Sequence, residues 1–510
     1  MSASADQPPA RPHRLLVRRS GIDTGDEPVI FMNSRCHVCR AEGLRAHKRV
    51  LVSVDGREIV ATAHHVEGAL VAPDEAALSE AAWRRLAPEP GQAVTVVHPP
   101  TLPSLGKVRG KIFGNRLDRA AMRAIIGDVV AGRYSDVHSA AFLSACAARP
   151  LDPDEVEALT DAMVAAGERL TWEAPMIADK HCVGGLPGNR TTPIVVAIVA
   201  AHGVPIPKTS SRAITSPAGT ADVMEVLAPV DLSLAQIRRV VAQEQGCLAW
   251  GGAVRLSPAD DLLIRIERAL DIDGPGQLVA SVLSKKIAAG ATHVVLDLPI
   301  GPTAKIRSDA DAAELVRLFE DVAARFGLAV RPVLTDGRQP VGRGIGPALE
   351  ARDVLAVLQG APGAPADLRE RAVTLAGAIL EFVGAVPENG GRAAAASALA
   401  DGRAWAKFQR ICEAQGGMRT PPEAAQSYEV EAPAVGVVAS VDNRKLARVA
   451  KLAGAPAAAA AGVSLLVRIG EEVAAGQPLF TVHAQTRGEL DYARAYLDGA
   501  GDIISCEPLR

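Results

Sequence analysis

Between roughly residues 173 and 360, short apolar runs alternate with amphipathic ones: PMIAD, THVVLDLPI and LAVRPVLTD against TTPIVVAIVAAHG, RSDADAAELVRLFEDVAARFG and EARDVLAVLQG. Apolar runs of that length bounded by turn residues read as buried strands, and apolar repeats at three and four read as helices. Strands separated by helices do not pair through hairpins, so the expected core is a mostly parallel sheet covered by helices. Ligands of such sheets bind at strand carboxyl ends. That directs attention to the loops that follow PMIAD and VPIP.

The rest of the chain carries other patterns. Residues from about 14 to 100 alternate RVLVSV, EIVATA and AVTVV with Gly, Asp and Pro turns, as a small β-rich domain does, and HPPTLPSLG reads as a linker. From about 110, LDRAAMRAIIGDVVAGRY and DPDEVEALTDAMVAAGERL have helical periodicity. After Pro433 short strands and Gly turns return. The expected fold class is therefore multidomain α/β. A β-rich domain spans 1–105 and a helical domain 106–175, with a segment returning near 255–287. A large α/β domain covers 176–425 and an α+β domain 426–510. With 510 residues, each is long enough to bury its own core.

Charge and composition exclude several classes. With 55 Lys+Arg against 58 Asp+Glu the chain has a net charge of −3, without the basic excess of a nucleic-acid binder. No apolar stretch reaches the roughly 18 residues of a membrane span. The start, MSASADQPPARPHR, lacks an apolar h-region and reads as a frayed tail. A cytoplasmic location is the expectation. The seven Cys are scattered and odd in number, so reduced thiols are expected. Cys36-His37-Val38-Cys39 resembles half of a zinc site but has no second pair at suitable spacing, and no metal is expected. The Gly342, Gly344, Gly346 triplet lacks a complete dinucleotide fingerprint.

Three segments can carry chemistry. Asp179 to Asn189 (DKHCVGGLPGN) joins a strand to a helix whose Thr192-Pro193 suits N-cap and N1. Glycines there let backbone N–H groups approach an anion, the helix N-terminus adds partial positive charge, and Lys180 adds a full one. A tight turn with a solvated Lys would explain the glycines alone. Lys208 to Thr220 (KTSSRAITSPAGT) crowds hydroxyls and two cations into one connection, which suits a phosphoryl group better than a plain polar loop does. The third, Arg265 to Lys286, places Ser281 and Lys285 four apart on one helix face, a pair that can read a carbonyl edge or simply face solvent. Asp273 precedes Gly-Pro-Gly and is either a turn residue or a carboxyl that protonates a leaving group.

Taken together, DKHCVGGLPGN, KTSSRAITSPAGTADVMEVLAPV and VASVLSKKIAAG resemble the thymidine phosphorylase/AMP phosphorylase family, and the similarity extends over most of the chain after residue 110. The β-rich N-terminal domain resembles the extra domain of the AMP phosphorylase branch. The resemblance implies a helical and an α/β domain with a closing cleft between them, phosphate on the α/β side, and a dimer or larger homo-oligomer. It implies phosphate contacts for Lys180, Ser210 and Thr220, and base-facing roles for His181, Ser281 and Lys285. It also carries nucleotide contacts onto Gly185, Ser211, Arg212, Ala213, Ile214, Thr215, Ser216, Thr220, Ser281 and Lys305, with Asp273 as proton donor. Three departures stand out. Cys182 replaces a phosphate-binding serine. The family's base-binding Arg falls on Ile266 by ungapped count, with Arg265 before it and Glu267 and Arg268 after. The Gly-His-Thr-Gly-Gly stretch is Thr215-Ser216-Pro217-Ala218-Gly219.

The implied reaction is phosphorolysis of thymidine to thymine and 2-deoxyribose 1-phosphate, with inorganic phosphate as co-substrate, no cofactor, and His181, Lys285 and Arg265 as donors to the departing base. A nucleoside 5′-monophosphate is the alternative substrate. A phosphoribosyltransferase and a non-catalytic nucleotide sensor are the competing classes.

Overall fold

The computed structural model describes residues 14–41, 48–213, 216–272 and 274–509. They form two compact units, one of the described residues up to 113 with 127–141 and one of 114–126 with the described residues from 142 on. Of the tail read from MSASADQPPARPHR, residues 1–13 lie outside the described residues and Arg14 begins a strand; the site candidates Ile214, Thr215 and Asp273 also lie outside.

In the first unit, period-two alternation closes a barrel. Strands β1 (Arg14–Arg19), β2 (Val29–Asn33), β3 (Arg49–Val54), β4 (Arg57–Val66), β5 (Glu75–Leu78) and β6 (Ala93–Val97) pair in the order β1-β5-β2-β4-β3-β6, and β6 returns antiparallel to β1. Val50, Val52 and Val54 point inward with Leu15, Val17, Ile30 and Met32. Closure removes the exposed edges that a sheet of six short strands would leave. Two expectations are corrected here. Cys36, just before the short helix His37–Ala41, and Cys39 within it have Cα atoms 5.4 Å apart, within bridging reach, and they form a disulfide buried in the barrel core rather than a pair of free thiols. The presumed linker also contains the start of the helix Ser104–Ile112. Ser104 is buried, donates to Asp128 Oδ2 and accepts from Tyr134 Oη at 3.0 Å, which ties that helix down.

The second unit holds the parallel sheet. Strands β7 (Ala178–Cys182), β8 (Ile206–Ser210), β9 (Gly246–Trp250), β10 (His293–Ile300) and β11 (Ala329–Asp336) form the ladders β11-β10-β7 and β8-β9, every pairing parallel. The bond from Ala178 N to Pro205 O, 2.9 Å, sets β7 beside the start of β8. The helix Thr191–Ala201 is apolar on all sides and correspondingly buried on all sides. It starts one residue before the expected cap, with Arg190 as N-cap and Pro193 inside the first turn, where a missing N–H costs nothing. Ile194 through Ala200 join Met224, Leu375, Ile379 and Phe408 in the main core.

The helix Pro153–Ala165 opens on a capping box of Asp152 and Glu155. It packs along Pro275–Ala288, where Gly276 admits Leu151 and Val156 so closely that a Cβ would sit 3.0 Å from each. Beyond residue 426 two small antiparallel sheets enclose a core of Val438, Leu446, Phe480 and Val482. The two-residue strand Gly344–Ile345 is an edge of one of them, so the C-terminal module is joined to the α/β layer by strand pairing. Asn443, fully buried at the start of the helix Asn443–Leu452, donates to Thr303 Oγ1 at 2.9 Å and Gly337 O at 3.1 Å. Among the described residues no helix is long and apolar enough to cross a membrane.

Candidate functional site

The loops after β7 and β8, the helices Pro258–Leu270 and Pro275–Ala288, residues 303–305 and the helix Asn443–Leu452 line one cleft of about 860 Å³.

Its floor is a buried set of charges. Lys180 donates from Nζ to Thr191 Oγ1 at 2.7 Å and lies 3.6 Å from Asp297 Oδ2. Thr192 Oγ1 is 3.4 Å from the same ammonium. Asp179, one residue earlier on β7, accepts from Lys286 Nζ at 2.8 Å and lies 3.7 Å from Lys208 Nζ. Lys180, Asp179, Asp297, Lys208 and Lys286 are each at most 5% exposed. Buried charges persist only when opposed and hydrogen-bonded; Lys180 opposite Asp297 and Lys286 on Asp179 meet that condition, and Lys208 is a third amine beside a carboxylate that already has a closer partner. Asp297 also accepts from Thr335 Oγ1 at 2.7 Å and from Asn189 Nδ2 at 3.2 Å.

The first loop is tight because its surroundings demand it. Gly188, at φ +69°, has Val341 O 2.4 Å from where a Cβ would stand. Gly185 also has positive φ and lies against Lys305, whose N–H donates to Gly184 O at 3.3 Å. Cys182 accepts from Asn189 Nδ2 at 3.2 Å. Burial, and then the nearby Asp297, push its thiol up, so it stays protonated.

The second loop is held from outside. Arg190, nine-tenths buried, donates through Nε to Glu350 Oε2 at 2.7 Å, through Nη1 to Thr220 Oγ1 at 2.7 Å and through Nη2 to Ala218 O at 2.8 Å. One guanidinium fork thus links the end of the first loop to the end of the second. Asp222 accepts from the N–H groups of Ala213 and Gly219 at 2.6 and 2.7 Å. Arg212 does not stand free for an anion. It is paired with Glu225 and lies over the Trp250 ring at 4.6 Å, and the Glu225 bond raises its pKa. Ser216 Oγ donates to Ala218 O at 2.8 Å. Ser210 lines the cleft, and its buried Oγ has no hydrogen-bond partner among the described residues.

The opposite wall comes from two helices that start with Pro at N1, Pro258–Leu270 and Pro275–Ala288. Lys285 lies 3.4 Å from Ser281 Oγ and 2.6 Å from Asp260 Oδ2, the latter an ion pair off the hydrogen-bonding direction. Asp261 also faces the cleft. Its carboxyl is pushed up to about 6, first by the enclosing protein and then by Asp260, while Lys285 acts the other way; its side chain stays open to solvent, which moderates these effects. His181 is half-buried, and burial followed by the fields of Lys286, Lys208, Lys285 and Lys180 holds its imidazole well below 6.5. It is a neutral ring at neutral pH.

The cleft therefore gathers the candidates Lys180, His181, Gly185, Ser210, Ser211, Arg212, Ser216, Thr220, Ser281, Lys285 and Lys305, whereas Ala213 stands just outside it as a donor to Asp222. Arg265 does not line it; Ile266 is buried, and Glu267 and Arg268 take the cleft side of the helix, because a one-residue shift rotates a helical position by about 100°. The sequence reading missed Arg190, Thr192, Lys286 and the cationic face Arg444, Arg448 and Lys451 in the cleft, and Asp297 behind its floor. Asp297 was detectable as a carboxylate inside the apolar run VVLDLPI; Arg190 gave no comparable signal. The Gly342–Gly346 loop spends its N–H groups on Asp367 and Asp353 and offers no dinucleotide cradle.

Comparison with known proteins agrees with this layout. Residues 107–167 match the glycosyl transferase family helical bundle domain, 174–405 its a/b domain, and 437–503 the pyrimidine nucleoside phosphorylase C-terminal domain. A protein of Polaromonas sp. (strain JS666) is 61% identical, covering 97% of this chain and 96% of its own. One of Chelativorans sp. (strain BNC1) is 59% identical, covering 98% and 99%. Both are described as "Putative thymidine phosphorylase". Anthranilate phosphoribosyltransferase from Thermus thermophilus superposes with a TM-score of 0.52 at 21% identity, over 60% of this chain and 98% of that one, a likeness of fold. On this similarity along nearly its whole length, the chain belongs to the glycosyl transferase family that combines a helical bundle, an a/b domain and a pyrimidine nucleoside phosphorylase C-terminal domain.

Proposed function

We propose that the chain is a nucleoside phosphorylase that converts thymidine and inorganic phosphate to thymine and 2-deoxyribose 1-phosphate. The observation that carries this reading is the meeting, in one cleft, of an anion-binding floor (Lys180, Thr192, Ser210) with a neutral donor on the same strand as Lys180 (His181) and a cationic one on the facing helix (Lys285). A phosphate oxygen attacks C1′, the C1′–N bond breaks, and its electron pair leaves on the base. The Lys180 ammonium and the Ser210 hydroxyl hold the phosphate in line. His181, as a neutral N–H donor, and Lys285 stabilise charge that develops on a base carbonyl only as the bond breaks, the kind of interaction that accelerates rather than merely binds. Asp261, whose carboxyl is pushed up to about 6, is a carboxyl on the cleft wall able to deliver the proton the departing base takes up. No cofactor enters this scheme.

A second reading, a nucleoside 5′-monophosphate as substrate, is supported by Arg268, Arg444, Arg448 and Lys451 on one side of the same cleft, where they would face an additional phosphate. Both are tested by incubating the full-length protein with phosphate and thymidine, uridine, AMP or CMP and quantifying free base. The expected result is thymine release that requires phosphate; faster release from the nucleotides would favour the second reading, and no base from any of them would sink both.

A further inference from the structure

We propose that Lys208 is a phosphate-binding residue that takes up a proton as the anion arrives, so that phosphate is captured as a dianion opposite a newly formed ammonium. The inference rests on the phosphorylase reading above and adds to it a residue and a proton.

Lys208 lies on β8 two positions before Ser210, hence on the same face of the strand, and both line the cleft. It is 5% exposed. Its Nζ donates to the carbonyl of the adjacent Thr209 and stands 3.7 Å from Asp179 Oδ1, whereas Lys286 engages the other oxygen of that carboxylate at 2.8 Å. Asp179 is thus already neutralised by a closer partner. With Lys180 opposite Asp297 at 3.6 Å, the floor without Lys208 is balanced, two ammonium groups against two carboxylates. A charged Lys208 would leave one buried positive charge in excess, which burial disfavours.

The groups facing its amine are Asp179, Lys180 and His181 on β7, Cys247 on β9, and Lys286 with the neighbouring Lys285 on the helix Pro275–Ala288. Burial, then Lys286, hold the Lys208 ammonium well below its usual range, and Asp179 offsets this only in part. His181 is neutral and Cys247, pushed up to about 12 chiefly by burial, is a thiol, so neither supplies a counter-charge. A phosphate dianion bound between Lys180 and Ser210 reverses the balance. The Lys208 nitrogen lone pair then takes one proton, from solvent or from H₂PO₄⁻, and the ammonium formed is opposed by HPO₄²⁻. No other bond changes.

The test is calorimetric titration of the full-length protein with inorganic phosphate, at a pH where the dianion dominates, in two buffers of unlike ionisation enthalpy. Wild type is expected to take up about one proton more per phosphate than Lys208→Met, and the variant to bind phosphate about tenfold or more weakly. Lys208→Arg, charged at every accessible pH, is expected to bind phosphate without that extra proton, and serves as the comparison should the Met variant fail to fold. Equal proton counts in wild type and both variants, or unchanged phosphate affinity in Lys208→Met, would overturn the proposal while leaving phosphorolysis intact. Absence of phosphate binding together with absence of base release would instead bring down the parent reading.

Discussion

Arg190 shows how much of the site depends on one side chain that ties its two phosphate-side loops together. Its three bonds join Glu350, Thr220 and Ala218, and Glu350 is 1% exposed and accepts from Gly346 N at 3.0 Å. Replacing the guanidinium leaves a buried carboxylate without its partner, at a cost of about 3–5 kcal/mol. Arg190→Met is therefore expected to lower thermal stability and raise KM for phosphate about 10- to 100-fold, the worth of a charge-assisted bond to Thr220, with KM for the nucleoside little changed. In Arg190→Met/Glu350→Gln the stability should largely return and the phosphate KM should not; recovery of both would mean the residue is only structural. His181 yields a pH prediction. Its folded pKa lies below the unfolded value of about 6.5, so below that pH the unfolded chain binds a proton the native one does not, and stability falls with acid. Between pH 7 and pH 5 the melting temperature of wild type should drop further than that of His181→Asn; parallel curves would refute the neutral imidazole.

At the scale of elements, the two phosphate-side loops are set by close approach as much as by charge. Gly188→Ala would place a methyl 2.4 Å from Val341 O at φ +69°, and a loss of about 2–5 kcal/mol is expected in denaturant unfolding. Gly203→Ala, with the same sign of φ but nothing within 4 Å, should cost only about 1–2 kcal/mol; equal losses would show that packing at Gly188 is unimportant. The strands and helices around these loops were legible in the sequence because period and burial coincide there: β10 and β11 lie on THVVLDLPI and LAVRPVLTD, and the all-apolar helix lies on TTPIVVAIVAA. Loop chemistry was half legible. Lys180, Ser210, Ser281 and Lys285 meet as their segments suggested. Arg212 does not face the cleft as a free cation, because Glu225 and Trp250 are supplied by elements with no local signal in KTSSRAITS. The Cys36–Cys39 bridge was misjudged because a count of cysteines says nothing about one of them standing just before a short helix and the other inside it, within a barrel.

Over the whole molecule, a chain of net charge −3 concentrates buried and half-buried cations around one cleft. Low surface charge with a focused positive site suits capture of small anions rather than of a polyanion. The α/β layer supplies the floor, the helices Pro258–Leu270 and Pro275–Ala288 supply the facing wall, and the helix Asn443–Leu452, fastened through Asn443 to Thr303, supplies a further cationic side. This arrangement makes one claim above all: an oxygen of inorganic phosphate ends bonded to the sugar carbon that the base has left. Reaction of the full-length protein with thymidine and phosphate carrying ¹⁸O at all four oxygens tests it directly, by mass analysis of the sugar product. The expected product is 2-deoxyribose 1-phosphate retaining all four labelled oxygens, in amounts equal to the thymine released. Thymine accompanied by free deoxyribose and unconsumed phosphate would contradict it.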